Sequence, residues 1–392
     1  MTEELGFALL YTVVALIAAF GIITLLLYKF RREKLKDFSK VAIGTLIGVA
    51  LTATALLAAA TFYEMEADDS FMPYFPAILA LVLIALCGGC LMGLASIFNK
   101  FLTKVATVIT GLGLLGGLIA LMVVLADYFK ENISGDEYYS PYMNDTALII
   151  SFVAMLVALI AIYFVGKKRE VNETKSVVYG AIAIAMSFAL SYAKFLSLPQ
   201  GGSVTFASLL PLMIYCAMFG TRRGVMVCLI YGFLQALQDT YIIHPVQFML
   251  DYPLAFGMIA ASGIFFERTP LKKNKLAAFV VGATVAVVLR YLCHLLSGTF
   301  AFGRYAIDGG YGVDQFFYYS LAYNSFTVVD LAIDLAAGIL LMLSPSFRRQ
   351  MDIATQPTAG AAIEDDLDEE DDIYTHDGGS HKEGGEANGE AN

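Results

Sequence analysis

Residues 276–302 read LAAFVVGATVAVVLRYLCHLLSGTFAF, and their only charged side chain is Arg290. A helix needs about 20 apolar residues to cross a bilayer core of about 30 Å. This stretch is long enough. Arg268, Lys272, Lys273 and Lys275 stand before it, and a mixed segment, 303–314, follows. Basic residues stay on the cytoplasmic side, so the stretch runs from inside to outside.

The same pattern recurs along all 392 residues. It predicts an all-α polytopic membrane protein with about eleven transmembrane helices. The segments are 7–28, 40–63, 74–98, 105–128, 146–166, 176–197, 205–220, 224–239, 245–266, 276–302 and 315–343. Composition agrees, since 58% of the residues are hydrophobic and 15% are charged. Soluble domains are typically about 45–50% apolar and about 25% charged. Five cysteines exclude a disulfide scaffold.

The net charge of −10 divides unevenly. Residues 351–392 hold 13 acidic side chains and one lysine, whereas the rest carries a charge of +2. The body therefore lacks a basic nucleic-acid footprint. The acidic, Gly-rich tail buries too little to offset chain entropy and reads as a disordered cytoplasmic tail. The first segment follows Glu3 and Glu4 and precedes Lys29, Arg31, Arg32, Lys34 and Lys36. That is the reverse of a signal peptide. Basic loops (29–40, 100–104, 167–175, 222–223, 268–275, 348–349) alternate with acidic or mixed ones (64–69, 130–145, 198–204, 240–244, 303–314). The expected topology is a multi-pass protein of the cell membrane, N-terminus outside and C-terminus cytoplasmic.

The loop 167–175 reads as a cytoplasmic linker between two regions. Residues 1–166 form a five-span N-terminal membrane region of unknown role. They carry the small-residue pairs Gly44/Gly48, Gly89/Gly93 and Gly113/Gly117, which suit close helix packing. Cys87 and Cys90 read as small residues at a helix contact rather than a redox or metal pair; no metal site is expected.

The second region sets polar groups inside its spans: Asp251, Arg290, His294, Asn324, Asp330 and Asp334, with Gln235, Gln238 and Asp239 near a helix end. Such residues are functional candidates by default. Tyr241, Asp251, Tyr252, His294, Gly298, Phe302, Tyr319 and Asn324 fall on the outer side by topology. His294 and Gly298 share a helix face, as do Gly298 and Phe302. A carboxylate, an imidazole, a carboxamide and aromatic faces suit a small aromatic cation. Other readings stay open: an aromatic belt, a packing histidine, or an Asp251–Arg290 pair.

The blocks LPQGGSVT (198–205), SLLP (208–211), YIIHPVQ (241–247), LDYPLAFG (250–257), RYLCHLLSG (290–298) and YSLAYN (319–324) resemble the thiamine-binding S-components of energy-coupling factor (ECF) transporters, the ThiT/YuaJ group. The resemblance covers about residues 176–345. It implies a six-helix membrane bundle binding thiamine near its outer face. It assigns ligand contacts to Asp251, where the family often has glutamate, and to Tyr252, His294, Gly298, Tyr319, Asn324 and Tyr241. Family members stack thiamine on tryptophans; this chain has none, and Phe302 and Gly202 stand at those positions. The resemblance also implies a membrane coupling subunit and ATPase subunits as partners. Small residues on the first helix, here Ala181, Ala185 and Ala189, would dock on them, although ordinary helix packing explains the same spacing.

No G-x-x-x-x-G-K-[ST] loop occurs, so ATP hydrolysis falls to partners. No cofactor is expected; the resemblance implies thiamine as the transported ligand. An alternative is a stand-alone proton-coupled transporter of thiamine or a precursor. Asp330 and Asp334 motivate it, placed toward the inner half of the last span. An enzyme is disfavoured, because no zinc signature or nucleophile motif is present. A sensor acting through the tail is a further reading.

Overall fold

The long helices begin where asparagine precedes an apolar run. Asn99, Asn144, Asn172 and Asn274 each accept a hydrogen bond from the amide three residues on, at 2.8–3.1 Å. Each thereby satisfies an amide that the first helical turn leaves open. The helices so capped are α3 (Lys100–Asn132), α4 (Asp145–Val165), α5 (Glu173–Ser191) and α9 (Lys275–Ala301). Earlier in the chain lie α1 (Thr2–Phe30) and α2 (Phe75–Phe98). The description is a computed structural model, and it covers residues 2–36, 38, 39, 42, 46, 75–133, 138–238 and 241–356. The expected second span over 40–63, the Gly44/Gly48 pair, Asp239 and the tail from 357 onward lie outside the described residues.

After α5 come two short antiparallel strands, β1 (Lys194–Ser197) and β2 (Ser203–Thr205). Then follow α6 (Leu210–Phe219) and α7 (Thr221–Gln235). The helical stretch α8 (Pro245–Glu267) precedes α9. The chain closes with α10 (Gly303–Asp308), α11 (Phe316–Tyr323), α12 (Phe326–Leu343) and α13 (Pro345–Thr355).

Among the described residues, five helical stretches are long and apolar enough to cross a membrane: Lys100–Glu131, Asp145–Val165, Pro245–Glu267, Lys275–Ala301 and Val313–Leu343. Shorter apolar stretches among the described residues are Ile17–Phe30 within α1, Ala80–Gly93 within α2, Lys175–Ser191 and Leu210–Phe219. The expected eleven crossings are therefore not reached among the described residues.

Two expected spans are corrected. Residues 192–197 leave the 176–197 segment as turn and strand, and 205–209 leave the 205–220 segment as strand end and turn. Pro199, Gly201 and Gly202 lie between, and they disfavour helix. What remains of the second segment, α6, has ten residues and rises only about 15 Å. The tail is corrected too. Helix runs on to Thr355, because Ser344 accepts from the Phe347 amide, Pro345 suits the first turn, and Met351 and Ala354 are buried.

In the N-terminal region α2 and α3 pack on small residues. Gly113 and Gly117 meet Ile84 and Leu81, as the spacing predicts. Gly89 does not lie at a contact; its neighbour Gly88 faces Thr110 instead. The contact face includes only one of two adjacent residues, because neighbours on a helix point about 100° apart. Cys87 is exposed.

The linker 167–172 is held against the far end of the bundle. Glu267, 3% exposed, pairs with Arg169 at 3.3 Å. It also accepts from the Lys167 amide and the Thr221 hydroxyl at 3.1 and 3.0 Å. Arg169 donates to the Met218 carbonyl at 2.8 Å, and burial lowers its pKa. Gly220 turns the chain between α6 and α7 at φ +91°, and a Cβ there would lie 2.3 Å from Glu267 Oε1. Replacing one partner of a buried pair strands the other. Glu267→Ala should thus destabilise the chain by about 3 kcal/mol, read as a lower thermal midpoint in detergent.

Candidate functional site

Asp251 occupies a π-helical turn, Leu250–Leu254, with Pro253 inside it. Proline offers no amide and breaks the regular helical ladder. The wider turn sets the Asp251 carboxylate toward α9. Its Oδ1 lies 3.0 Å from His294 Nδ1. Its Oδ2 accepts from Gln247 Nε2 and Ser297 Oγ, each at 2.7 Å. A carboxylate only accepts, so His294 donates from Nδ1 and a neutral ring presents Nε2 as an acceptor. That Nε2 is buried with no hydrogen-bond partner among the described residues.

The pair opens into a cavity that is partly continuous with solvent. All eight residues expected from the sequence line it. Their local roles differ. Tyr252 accepts from the Tyr241 amide at 3.0 Å. The Tyr241 and Phe302 rings lie 6.1 Å apart at 30°. Burial pushes the Tyr241 hydroxyl up to a pKa of about 12, so it stays protonated. Tyr319 stacks on Tyr323 at 6.0 Å and 25°.

Asn324 sits at the break between α11 and α12. Its amide donates to the Ser320 and His294 carbonyls at 2.9 and 3.2 Å. Gly298 lets α9 and α11 approach closely; a Cβ would meet Ser320 Oγ at 2.3 Å. Its contribution is therefore space rather than a polar contact.

The absence of tryptophan has a structural counterpart. A Cβ on Gly202 would lie 2.8 Å from the Tyr323 hydroxyl. Tyr323 occupies that room, accepts from the Gly202 amide at 3.2 Å and donates to the Pro199 carbonyl. It thereby ties the β1–β2 turn to the cavity edge.

Gln247, Ser297 and Tyr323 were not singled out from the sequence. Helical spacing would have flagged two of them: Gln247 lies four residues from Asp251, and Ser297 three from His294. Nothing in the local sequence marks Tyr323 against Gly202.

Arg290 does not pair with Asp251, the alternative left open by spacing. It lies 3.5 Å from Asp330 Oδ2 and over the Phe256 ring at 4.9 Å. Asp330 also accepts from the Thr205 amide at 2.8 Å. It thus lies against the hairpin, at the cavity end of the bundle, because β2 folds back onto α12. Asp334 is 1% exposed, and its Oδ1 has no hydrogen-bond partner among the described residues. Gln235 and Gln238 share a hydrogen bond at 3.1 Å, and Ser191 donates to Gln238 at 2.6 Å. Ala181 and Ala185 are half-buried and Ala189 is exposed, beside the exposed Val178, Ile182 and Met186. This face of α5 is partly open among the described residues. The described residues contain no cluster of three or more metal-ligating side chains.

The profile of the thiamine transporter protein family (Thia_YuaJ) matches residues 177–351. The thiamine transporter ThiT of Bacillus subtilis (strain 168) is 35% identical over 155 residues, covering 38% of this chain and 78% of that protein. The thiamine transporter ThiT of Lacticaseibacillus paracasei is 25% identical over 184 residues, 42% of this chain and 86% of that protein. A solved structure of ThiT from Listeria monocytogenes covers 44% of this chain and 94% of its own, at 24% identity and a TM-score of 0.36. With a matching family profile, and a curated relative 35% identical over 78% of its length, this chain belongs to the Thia_YuaJ family of thiamine transporter proteins.

Proposed function

We propose that this chain is the substrate-binding membrane subunit of an ATP-driven vitamin importer, carrying thiamine in the cavity around Asp251 and His294. Family membership makes it a multi-pass membrane transport protein and not an enzyme. The observation that carries the ligand assignment is the Asp251–His294 pair at the base of an aromatic cavity. Thiamine is a cationic thiazolium joined to an aminopyrimidine. Asp251 uses about three of its four acceptor positions on Gln247, Ser297 and His294, which leaves one for a ligand amine. His294 Nε2 adds a second acceptor. The Tyr241–Phe302 and Tyr319–Tyr323 pairs supply faces for a cation. Gly298 and Asn324 hold α9 and α11 at the distance the cavity needs.

The partly open Ala181–Ala185–Ala189 face supports docking on a shared membrane subunit driven by ATPases. The proposed organisation is an N-terminal membrane region over 1–166, a linker over 167–175, the thiamine-binding unit over 176–345 and an acidic tail over 351–392. The alternation of basic and acidic loops supports an outside N-terminus and a cytoplasmic C-terminus. The unpartnered Asp334 Oδ1 favours a second reading, a self-sufficient proton-coupled transporter.

Calorimetry on the full chain in detergent should show thiamine binding, weakened about 10- to 100-fold by Asp251→Ala or His294→Ala. Absence of binding by well-folded wild type would overturn the ligand assignment. In proteoliposomes, uptake should require the ATPase module. Ala185→Trp should abolish that uptake and leave thiamine affinity unchanged. Uptake by this chain alone, lost when the proton gradient is collapsed, would favour the second reading.

A further inference from the structure

The family match begins at residue 177, yet an earlier segment reaches the mouth of the cavity. Between α3 and α4, the Tyr139 hydroxyl lies 3.0 Å from that of Tyr305 and shares a hydrogen bond with it. Tyr305 in turn shares a hydrogen bond with Tyr241, whose ring lines the cavity and faces Phe302. Alongside, Tyr138 donates to Asp308 at 2.5 Å. Arg304 pairs with Asp308 at 2.8 Å and lies over the Tyr138 ring at 4.0 Å.

The backbone joins at the same place. The Asn144 amide donates to the Phe300 carbonyl at 2.9 Å. Gly303 passes so near the Tyr142 carbonyl that a Cβ would lie 2.3 Å from it. The loop that carries Tyr241 is held at its other end as well. His244 packs edge-on against Phe129 of α3 at 4.6 Å, and its Nε2 lies 3.7 Å from Asp145 Oδ1.

Tyr241 sits in a loop, and Phe302 is where α9 ends. Neither has a regular element to hold its ring. Tyr305 meets both rings, and residues of the N-terminal membrane region hold Tyr305 and the end of α9 in turn. We propose that the segment 138–145, with Phe129, is an outer clamp of the cavity: it holds Tyr241 and Phe302 in place and sets how fast the ligand leaves. Tyr139 and Tyr305 act as positioning residues, because the Tyr305 hydroxyl meets Tyr241 and the Tyr139 hydroxyl meets Tyr305, and neither reaches the cavity's polar base. The retention half of this proposal rests on the thiamine assignment above.

Tyrosine-to-phenylalanine variants remove one hydroxyl and keep the ring, so the test perturbs the clamp with little threat to folding. Hydrogen exchange at the amides of residues 241–244 and the release of labelled thiamine are measured on the full chain. Tyr139→Phe and Tyr305→Phe should each speed both by about three- to tenfold. The double variant should be no faster than the Tyr305→Phe single, since the two hydroxyls share one chain of hydrogen bonds. Tyr163→Phe, near the other end of α4, should match wild type in both. Unchanged exchange at 241–244 in both single variants would overturn the clamp, and faster exchange with unchanged release would overturn its role in retention. If wild type binds no thiamine, the ligand assignment and retention fall together. The exchange comparison then decides the clamp alone.

Discussion

The cavity is organised around one constraint: the Asp251 carboxylate lies between apolar helices and must be compensated there. Taking an ion out of water costs several kcal/mol even after relaxation. Here Gln247, Ser297 and His294 share the task. Gln247 lies on the same element as Asp251, whereas His294 and Ser297 come from α9. Compensating the charge therefore also sets the spacing of α8 and α9. Gly298, one position beyond Ser297, carries this order to α11, where Ser320 and Asn324 pack. A cavity with hydrogen-bonding groups at its base is what remains between these elements.

Two other buried carboxylates act in the same way elsewhere in the bundle. Asp330 joins α12 to Arg290 of α9 and to the amide of Thr205, which anchors the hairpin. Glu267 gathers the linker, Thr221 and Arg169 at the opposite end. In each case one carboxylate satisfies donors from segments far apart in sequence. Such clusters contribute little net energy relative to well-packed apolar groups, but removing one member leaves the others stranded. They thus determine which arrangement of otherwise interchangeable greasy helices is reached.

The N-terminal region takes part in both ends of this arrangement. Arg222 donates to the Gly166 carbonyl, and Arg268 to that of Val165, at the linker end of α4. At its beginning, Asn144 and Tyr139 meet α9 and α10. Helix α4 thus lies along the family-matched bundle from one end to the other, and α4 with its flanking segments belongs to the same packed body.

The membrane class was legible in the sequence, because apolar length and scarce charge are properties of composition that lipid reads directly. So were the asparagine caps, which act within three residues. Asp251, His294 and Asn324 stood out as polar side chains inside apolar runs before any fold was known; they line one cavity with the five aromatic and glycine positions that rested on placement and resemblance. Local reading failed where partners come from distant segments. It missed that Tyr323 fills the room beside Gly202, and it placed helix where the chain forms a hairpin. It left open whether Arg290 meets Asp251, and only the tertiary structure decided for Asp330. Spacing along a helix fixes which residues share a face. Which face meets which is settled when the whole set of buried polar groups must be satisfied together.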